Sequence, residues 1–184
     1  MISKRSEEVV MATPDFWNHN NYAVPPQNLP LVEECIGLLF PWEQYVKRPG
    51  FLGYRLQEDS RKAVVFFQGH PWAAKFVTAV ERLRKTDKEL GEALDLREQH
   101  SSDQIDHNGF RVETLEDWER RVATAQRIEK TRPDLQVKVR SVHRPGQPGA
   151  APRGDLYQCF IRVGLLGPVR NTFEMVYVKA GGPP

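Results

Sequence analysis

Three residues of this chain have the types that hold a divalent metal and sit where a repeat could bring them together: His19, His107 and Glu174. The run His19-Asn-Asn-Tyr-Ala-Val-Pro25 lines up with His107-Asn-Gly-Phe-Arg-Val-Glu113. His, Asn and Val agree, and an aromatic falls at the same place. A lone strand histidine is usually structural, but two histidines at the same repeat position are a different case. If the copies pair about a pseudo-twofold axis, two equivalent strands bring both imidazoles to one centre. A metal needs that convergence, because each ligand donates one lone pair at about 2 Å.

Glu174 is the third candidate. It lies in TFEMVYV, where alternation puts Phe173, Met175 and Tyr177 on one face and Thr172, Glu174 and Val176 on the other. Val176 and Val178 share its face, so that face is not clearly a solvated one. A buried carboxylate without a partner costs several kcal/mol, and a metal cation is an adequate partner. Two neutral imidazoles and one carboxylate leave three sites of an octahedron open, the facial arrangement of non-haem iron(II) enzymes. Two oxygens of a chelating substrate and one O2 fill such sites. The same donors accept manganese, cobalt or nickel, so the ligand types do not identify the metal.

The elements that must position these groups read as α+β. FWNHNNYAVP is strand-like, Asn28 is placed to cap a helix through Leu31, Val32, Cys35, Leu38 and Leu39, and Pro41 stops it. Strands are expected near 42–46, 51–57 and 63–68. Residues 71 to about 98 read as one long helix, with Gly91 as the point where it would divide. The plan then repeats. IDHNGFRVE is a strand, Thr114 with Asp117 has the capping-box pattern, and Leu115, Trp118, Val122 and Ala125 mark a helix ending near Pro133. Strands follow at 136–142, 157–163 and 172–178. The Pro/Gly-rich run HRPGQPGAAPRG between the first two is either a lid or a plain connection. The division is a flexible arm (1–15), a first βαβββ module (16–70), a linking helical segment (71–104), a second module (105–179) and a tail (180–184).

Global properties narrow the classes. Apolar residues make up 40% of the 184 and charged residues 27%, ordinary for a globular chain long enough to bury a core. The formal charge of +2 gives no case for nucleic acid. The first residues lack the apolar run of a signal peptide, and no stretch reaches the length of a membrane span. Cys35 and Cys159 sit in apolar segments and read as buried thiols. A cytoplasmic protein without a membrane partner is the expectation, and a homodimer is left open.

HNNYAV, HNGFRV and the closing FIRVGLLGPVRNTFEMVY resemble the vicinal oxygen chelate superfamily of glyoxalases, bleomycin-resistance proteins and type I extradiol dioxygenases. The resemblance covers residues 16–179. It implies two βαβββ modules forming a half-open barrel around a metal site. The first module's last strand, KAVVFFQG, has no acidic match for Glu174, which leaves the two-histidine, one-glutamate set of extradiol enzymes. The linking helix is long for the superfamily. By the same resemblance His70, His143 and Tyr157 are candidates for acid/base help around the ring-cleavage step. The compact size resembles the L-DOPA 2,3-dioxygenases of antibiotic pathways. A carboxylate-bearing small aromatic catechol would then need an arginine, with Arg111 and Arg162 as candidates. Iron(II) is the implied cofactor and O2 the co-substrate. The alternatives are a metal-free protein that sequesters an aromatic drug and a metal-dependent glyoxalase-like lyase or isomerase.

Overall fold

The computed structural model describes residues 19–56, 64–100, 106–150, 154–169 and 171–179. The arm at 1–15 and the tail at 180–184 lie outside these. Strand β1 (His19–Val24), helix α1 (Leu29–Leu39) and strands β2 (Trp42–Arg48), β3 (Phe51–Leu56) and β4 (Val64–Gly69) make the first module. Helices α2 (Pro71–Thr86) and α3 (Lys88–Gln99) follow. The second module is β5 (His107–Arg111), α4 (Leu115–Thr131), β6 (Val137–His143), β7 (Leu156–Val163) and β8 (Thr172–Val178).

Each module is a four-stranded mixed sheet, ordered β1-β4-β3-β2 and β5-β8-β7-β6, and the two sheets do not close into a barrel. β1 runs parallel to β4 and β5 to β8, while the other pairs are antiparallel. Period-two alternation decides which side of each sheet is buried. Tyr22, Val24, Val65 and Phe67 share one core with Val32, Cys35, Ile36 and Leu39 of α1. Phe110, Phe173, Met175 and Cys159 join Trp118, Val122, Ala125 and Ile128 of α4 in the same cluster. Burying one such side chain is worth roughly 1.5–3 kcal/mol, so this shared core is what holds the modules together. Each module carries a bulge at the same place: Tyr45 in β2 and Arg140 in β6, the fourth residue of each strand, have no partner across the ladder.

Helix ends follow local chemistry. Thr114 accepts from the backbone N–H of Asp117 at 3.1 Å, the cap that the sequence signals. Asn28 does not cap α1; its Nδ2 donates to the Leu165 carbonyl at 3.0 Å and ties the two modules. The long helix is two helices, and the break falls at Asp87 rather than Gly91. Asp87 takes an extended backbone and its carboxylate accepts from Leu90 N at 3.0 Å, because Asp starts a helix better than it continues one. Gly91 instead allows close packing: a Cβ there would stand 2.7 Å from the Arg84 carbonyl oxygen at the end of α2.

The edge strands β1 and β5 meet through side chains, not through a backbone ladder. Asn20 Nδ2 donates to Asn108 Oδ1 at 2.8 Å, and Asn108 Nδ2 donates to Tyr22 Oη at 2.6 Å. Asn20 and Asn108 are the same position of the two repeats, so the pseudo-twofold relation places one Asn against the other.

Candidate functional site

The site lies on the face of the second sheet that turns away from α4. His107 opens β5 on this face, and Glu174 lies on the neighbouring strand β8. Their side chains touch, His107 Nε2 to Glu174 Oε2 at 3.2 Å. Gln158 of β7 donates through Nε2 to the other oxygen, Oε1, at 2.6 Å. The Glu174 side chain is 13% exposed, partly rather than fully buried, and its partners are these two groups. Register explains the room: Gly109 sits beside Glu174 on β5, and a Cβ there would approach Oε2 to 3.3 Å. Phe160, paired with Glu174 across β7 and β8, presents its ring to both His107 (5.2 Å between centroids) and His143 (6.1 Å). His143 is the register partner of Gln158, so it belongs to this group. The turn at Gly149, with φ of +80°, folds back until a Cβ there would be 3.1 Å from the His143 ring.

A metal can be tested against this geometry. Two donors at right angles, each about 2.1 Å from one ion, stand about 3 Å apart, so His107 and Glu174 fit two positions on a single divalent ion. The third expected ligand is not beside them. His19 is exposed at the start of β1, with its ring 5.9 Å from that of Phe66. Among the described residues no group of three or more His, Cys, Asp and Glu converges as a metal would require. The cause lies in the junction, where β1 and β5 belong to separate sheets joined by asparagine side chains. On β4, moreover, Phe66 occupies the place that Glu174 has on β8.

The other candidates divide. His70 precedes α2, lies 3.2 Å from Gln68 Oε1 and stacks on Trp72, bordering a separate cavity of about 390 Å³ with Phe76 and Leu166. It does not join the His107 group. Tyr157 is on the opposite face from Glu174, packed on Trp118 and Tyr177 at 5.5 and 5.6 Å, because odd positions of β7 turn toward α4. Arg162 shares the face of Glu174, but Glu98 of α3 takes its guanidinium at 2.9 Å. Arg111 lines a cavity of about 510 Å³ with Pro41, Trp42, Gly109, Phe110 and Arg121. Gly109 lines this cavity and is the register partner of Glu174, but His107 and Glu174 themselves are not in the lining, which includes Thr114, Asp117 and Arg121 at α4.

Sequence reasoning missed Gln158 and Phe160. Alternation in LYQCFIRV groups them, but only the register of β7 against β8 shows that they face Glu174. Burial pushes the Cys35 and Cys159 thiols up to about 12, in keeping with inert core cysteines.

No family model and no curated protein matches the chain. Solved structures do. A glyoxalase/bleomycin resistance protein/dioxygenase family enzyme from Burkholderia phytofirmans PsJN is 17% identical at a TM-score of 0.45, covering 88% of this chain and 98% of its own. A glyoxylase/bleomycin resistance protein/dioxygenase domain from Frankia sp. EAN1pec is 11% identical at 0.48, covering 92% and 96%. A fosfomycin resistance protein from Mesorhizobium loti is 10% identical at 0.46, covering 91% and 95%. The chain's own sheet order and its repeated β-α-β-β-β sequence supply the two-module α+β fold which the sequence resemblance implied.

Proposed function

We propose that this chain is a metal-dependent enzyme of the vicinal oxygen chelate type, an extradiol dioxygenase for a small catechol, with L-DOPA the first substrate to test. The observation that carries the reading is the His107–Glu174 contact of 3.2 Å, spaced for one ion and backed by Gln158. His107 and Glu174 would hold iron(II), with His19 the third ligand only if β1 shifts toward β5. When bound, the iron supplies a Lewis-acid centre that two catechol oxygens and O2 can share. The chain's own part is positioning. Trp42 and Phe110 line the cavity of about 510 Å³, where Arg111 would offer its guanidinium to a substrate carboxylate. Phe160 keeps His107 and His143 in edge contact with one ring, and His143 is the group nearest in register to donate or accept a proton beside Gln158.

The test begins with metal content. The protein is loaded anaerobically with iron(II), and wild type is compared with His107→Ala, Glu174→Ala and His19→Ala. Loss of iron from the first two supports the pair, and the third shows whether His19 completes the set. Oxygen uptake is then followed with L-DOPA, catechol and dihydroxyphenylpropionate. A wild type that binds no iron, or consumes no oxygen with any of them, overturns the reading. A second reading has its own support: the 510 Å³ cavity, walled by Trp42 and Phe110, exists without a three-donor group beside it among the described residues. Tight binding of an aromatic compound without turnover would favour that metal-free sequestering role.

A further inference from the structure

The α2–α3 hairpin is amphipathic, yet little of the protein covers it. Helices α1 and α4 bury five and four residues in the shared core, whereas α2 buries only Ala73 and α3 only Gly91. The large apolar side chains left open to solvent gather here. Among the described residues six are exposed: Trp72, Phe76 and Leu83 of α2, Leu96 of α3, Val169 and, elsewhere, Leu38. Val169 borders the same cavity as Trp72 and Phe76, so the patch runs from the helix onto the body. A helix draws most of its stability from packing its apolar face, and a clustered exposed patch marks an interaction surface.

Spacing says what kind of partner the face fits. Trp72, Phe76, Ala79 and Leu83 follow one another at steps of four, three and four residues. At about 100° per residue these positions stay within about 60° of arc. That is the a/d stripe of a coiled coil, whose complement is a second helix with such a stripe. Exposure along it is 58% for Trp72, 46% for Phe76 and 37% for Leu83, so the seam lies open.

Charge says which helix. α2 carries four basic residues against one glutamate, and α3 four acidic residues against two basic ones. Arg82 and Arg84 flank Leu83, each about 100° round the helix from it and on opposite sides. Arg84 turns to its own α3, where Asp95 and Glu98 hold it. Arg82 therefore turns away from its own α3, and Lys75, seven residues earlier, lies on the flank of Arg82. On α3, Glu89 and Glu92 are exposed. Glu92 reaches Lys88 at 3.6 Å with both side chains largely in water, a pair worth little. A twofold axis along the helices brings the basic flank of α2 to the acidic α3 of a second copy, and makes the same contact twice.

We infer that α2 is a self-association surface: two copies of this chain pair through parallel α2 helices, with Arg82 of each against the acidic face of the other copy's α3. The Trp72, Phe76, Ala79 and Leu83 stripe is the seam between them.

Sedimentation velocity of the full chain is followed through a dilution series. Wild type should pass from dimer to monomer on dilution. Phe76→Glu and Leu83→Glu each set a charge in the seam and should raise the dimer Kd by more than about tenfold. Both positions are exposed, so near-UV circular dichroism should stay unchanged. Arg82→Glu should weaken the dimer as well. Adding Glu92→Arg to it should restore pairing, which a contact within one chain would not do, and failure to restore it removes the parallel arrangement. A wild type that stays monomeric at its highest concentration overturns the inference. So does a dimer indifferent to Phe76→Glu and Leu83→Glu, whose interface lies elsewhere. A monomer that binds anionic vesicles through the same residues gives the face to a membrane, and the inference falls.

Discussion

Replacing Gln158 with Leu isolates the contribution of one hydrogen bond to metal binding. The side chain is nearly isosteric, and what it removes is the 2.6 Å bond from Nε2 to Glu174 Oε1. A hydrogen bond to an ionised partner is worth about 1.5–3 kcal/mol, roughly 10- to 150-fold in an equilibrium constant. Part of this survives, because a freed Oε1 regains some solvation through the exposed fraction of Glu174. The expected loss in metal affinity is therefore about 10- to 100-fold, the range known for groups that orient a metal ligand. Affinity is measured by competition titration with cobalt(II) against a chromophoric chelator, and folding is checked by near-UV circular dichroism. Gln158→Glu is the companion variant. It sets a second carboxylate beside Glu174, so one of the two should titrate above the usual carboxylate range, and cobalt affinity should gain a steeper pH dependence. If Gln158→Leu binds cobalt as tightly as wild type while folded, the argument that Gln158 fixes Glu174 is wrong.

Other consequences are as direct. Asn108→Ala removes both bonds at the junction and should cost about 1–3 kcal/mol, two ordinary hydrogen bonds, in urea unfolding; a loss below about 0.5 kcal/mol would show that the core alone joins the modules. Gly109→Ala pushes a methyl toward Glu174 Oε2, so metal content should fall by more than Tm does; the reverse order would refute the placement of Glu174. Burial pushes the Glu98 carboxyl up, but the guanidiniums of Arg84 and Arg162 outweigh it and hold it below the usual range. A folded value below the unfolded one gives stabilisation above about pH 4.3 that is lost as pH falls through the folded value. Glu98→Gln should therefore lower Tm at pH 7 and converge with wild type as the pH falls through the folded value, and parallel melting curves from pH 7 into the acid range would contradict it.

Much of the architecture was legible from local patterns. Alternation in TFEMVYV put Glu174 on the face opposite Phe173 and Met175, and the matched histidine strands located β1 and β5. These signals are local, and a period of two needs no knowledge of the partner strand. What failed depends on distant contacts. Asn28 reads as a cap, but Leu165, far along the chain, claims its amide. Arg162 reads as a free cation until α3 brings Glu98 to it. Tyr157 was assigned by analogy of order, yet its parity on β7 sends it to the opposite face. His19 is the instructive case. The repeat correctly predicts its position on the strand, but β1 and β5 meet through Asn20, Asn108 and Tyr22, and in the alignment these are only one identity and one shared aromatic.

The asparagine pair at the junction also bears on ancestry. An amide both donates and accepts, so asparagine is its own complement, and two copies of one residue could make the Asn20–Asn108 contact across a true twofold axis. The bulges at Tyr45 and Arg140, each the fourth residue of its strand, add a second inherited irregularity. Both features suit a half-length ancestor that paired with itself before its gene doubled. A chain of residues 105–179 that stayed monomeric at high concentration would count against such an origin. In a pair of identical subunits every substitution is made twice, whereas a fused chain can alter one half alone. Phe66 against Glu174 is such a difference: the equivalent position carries a ring in the first half and a carboxylate in the second.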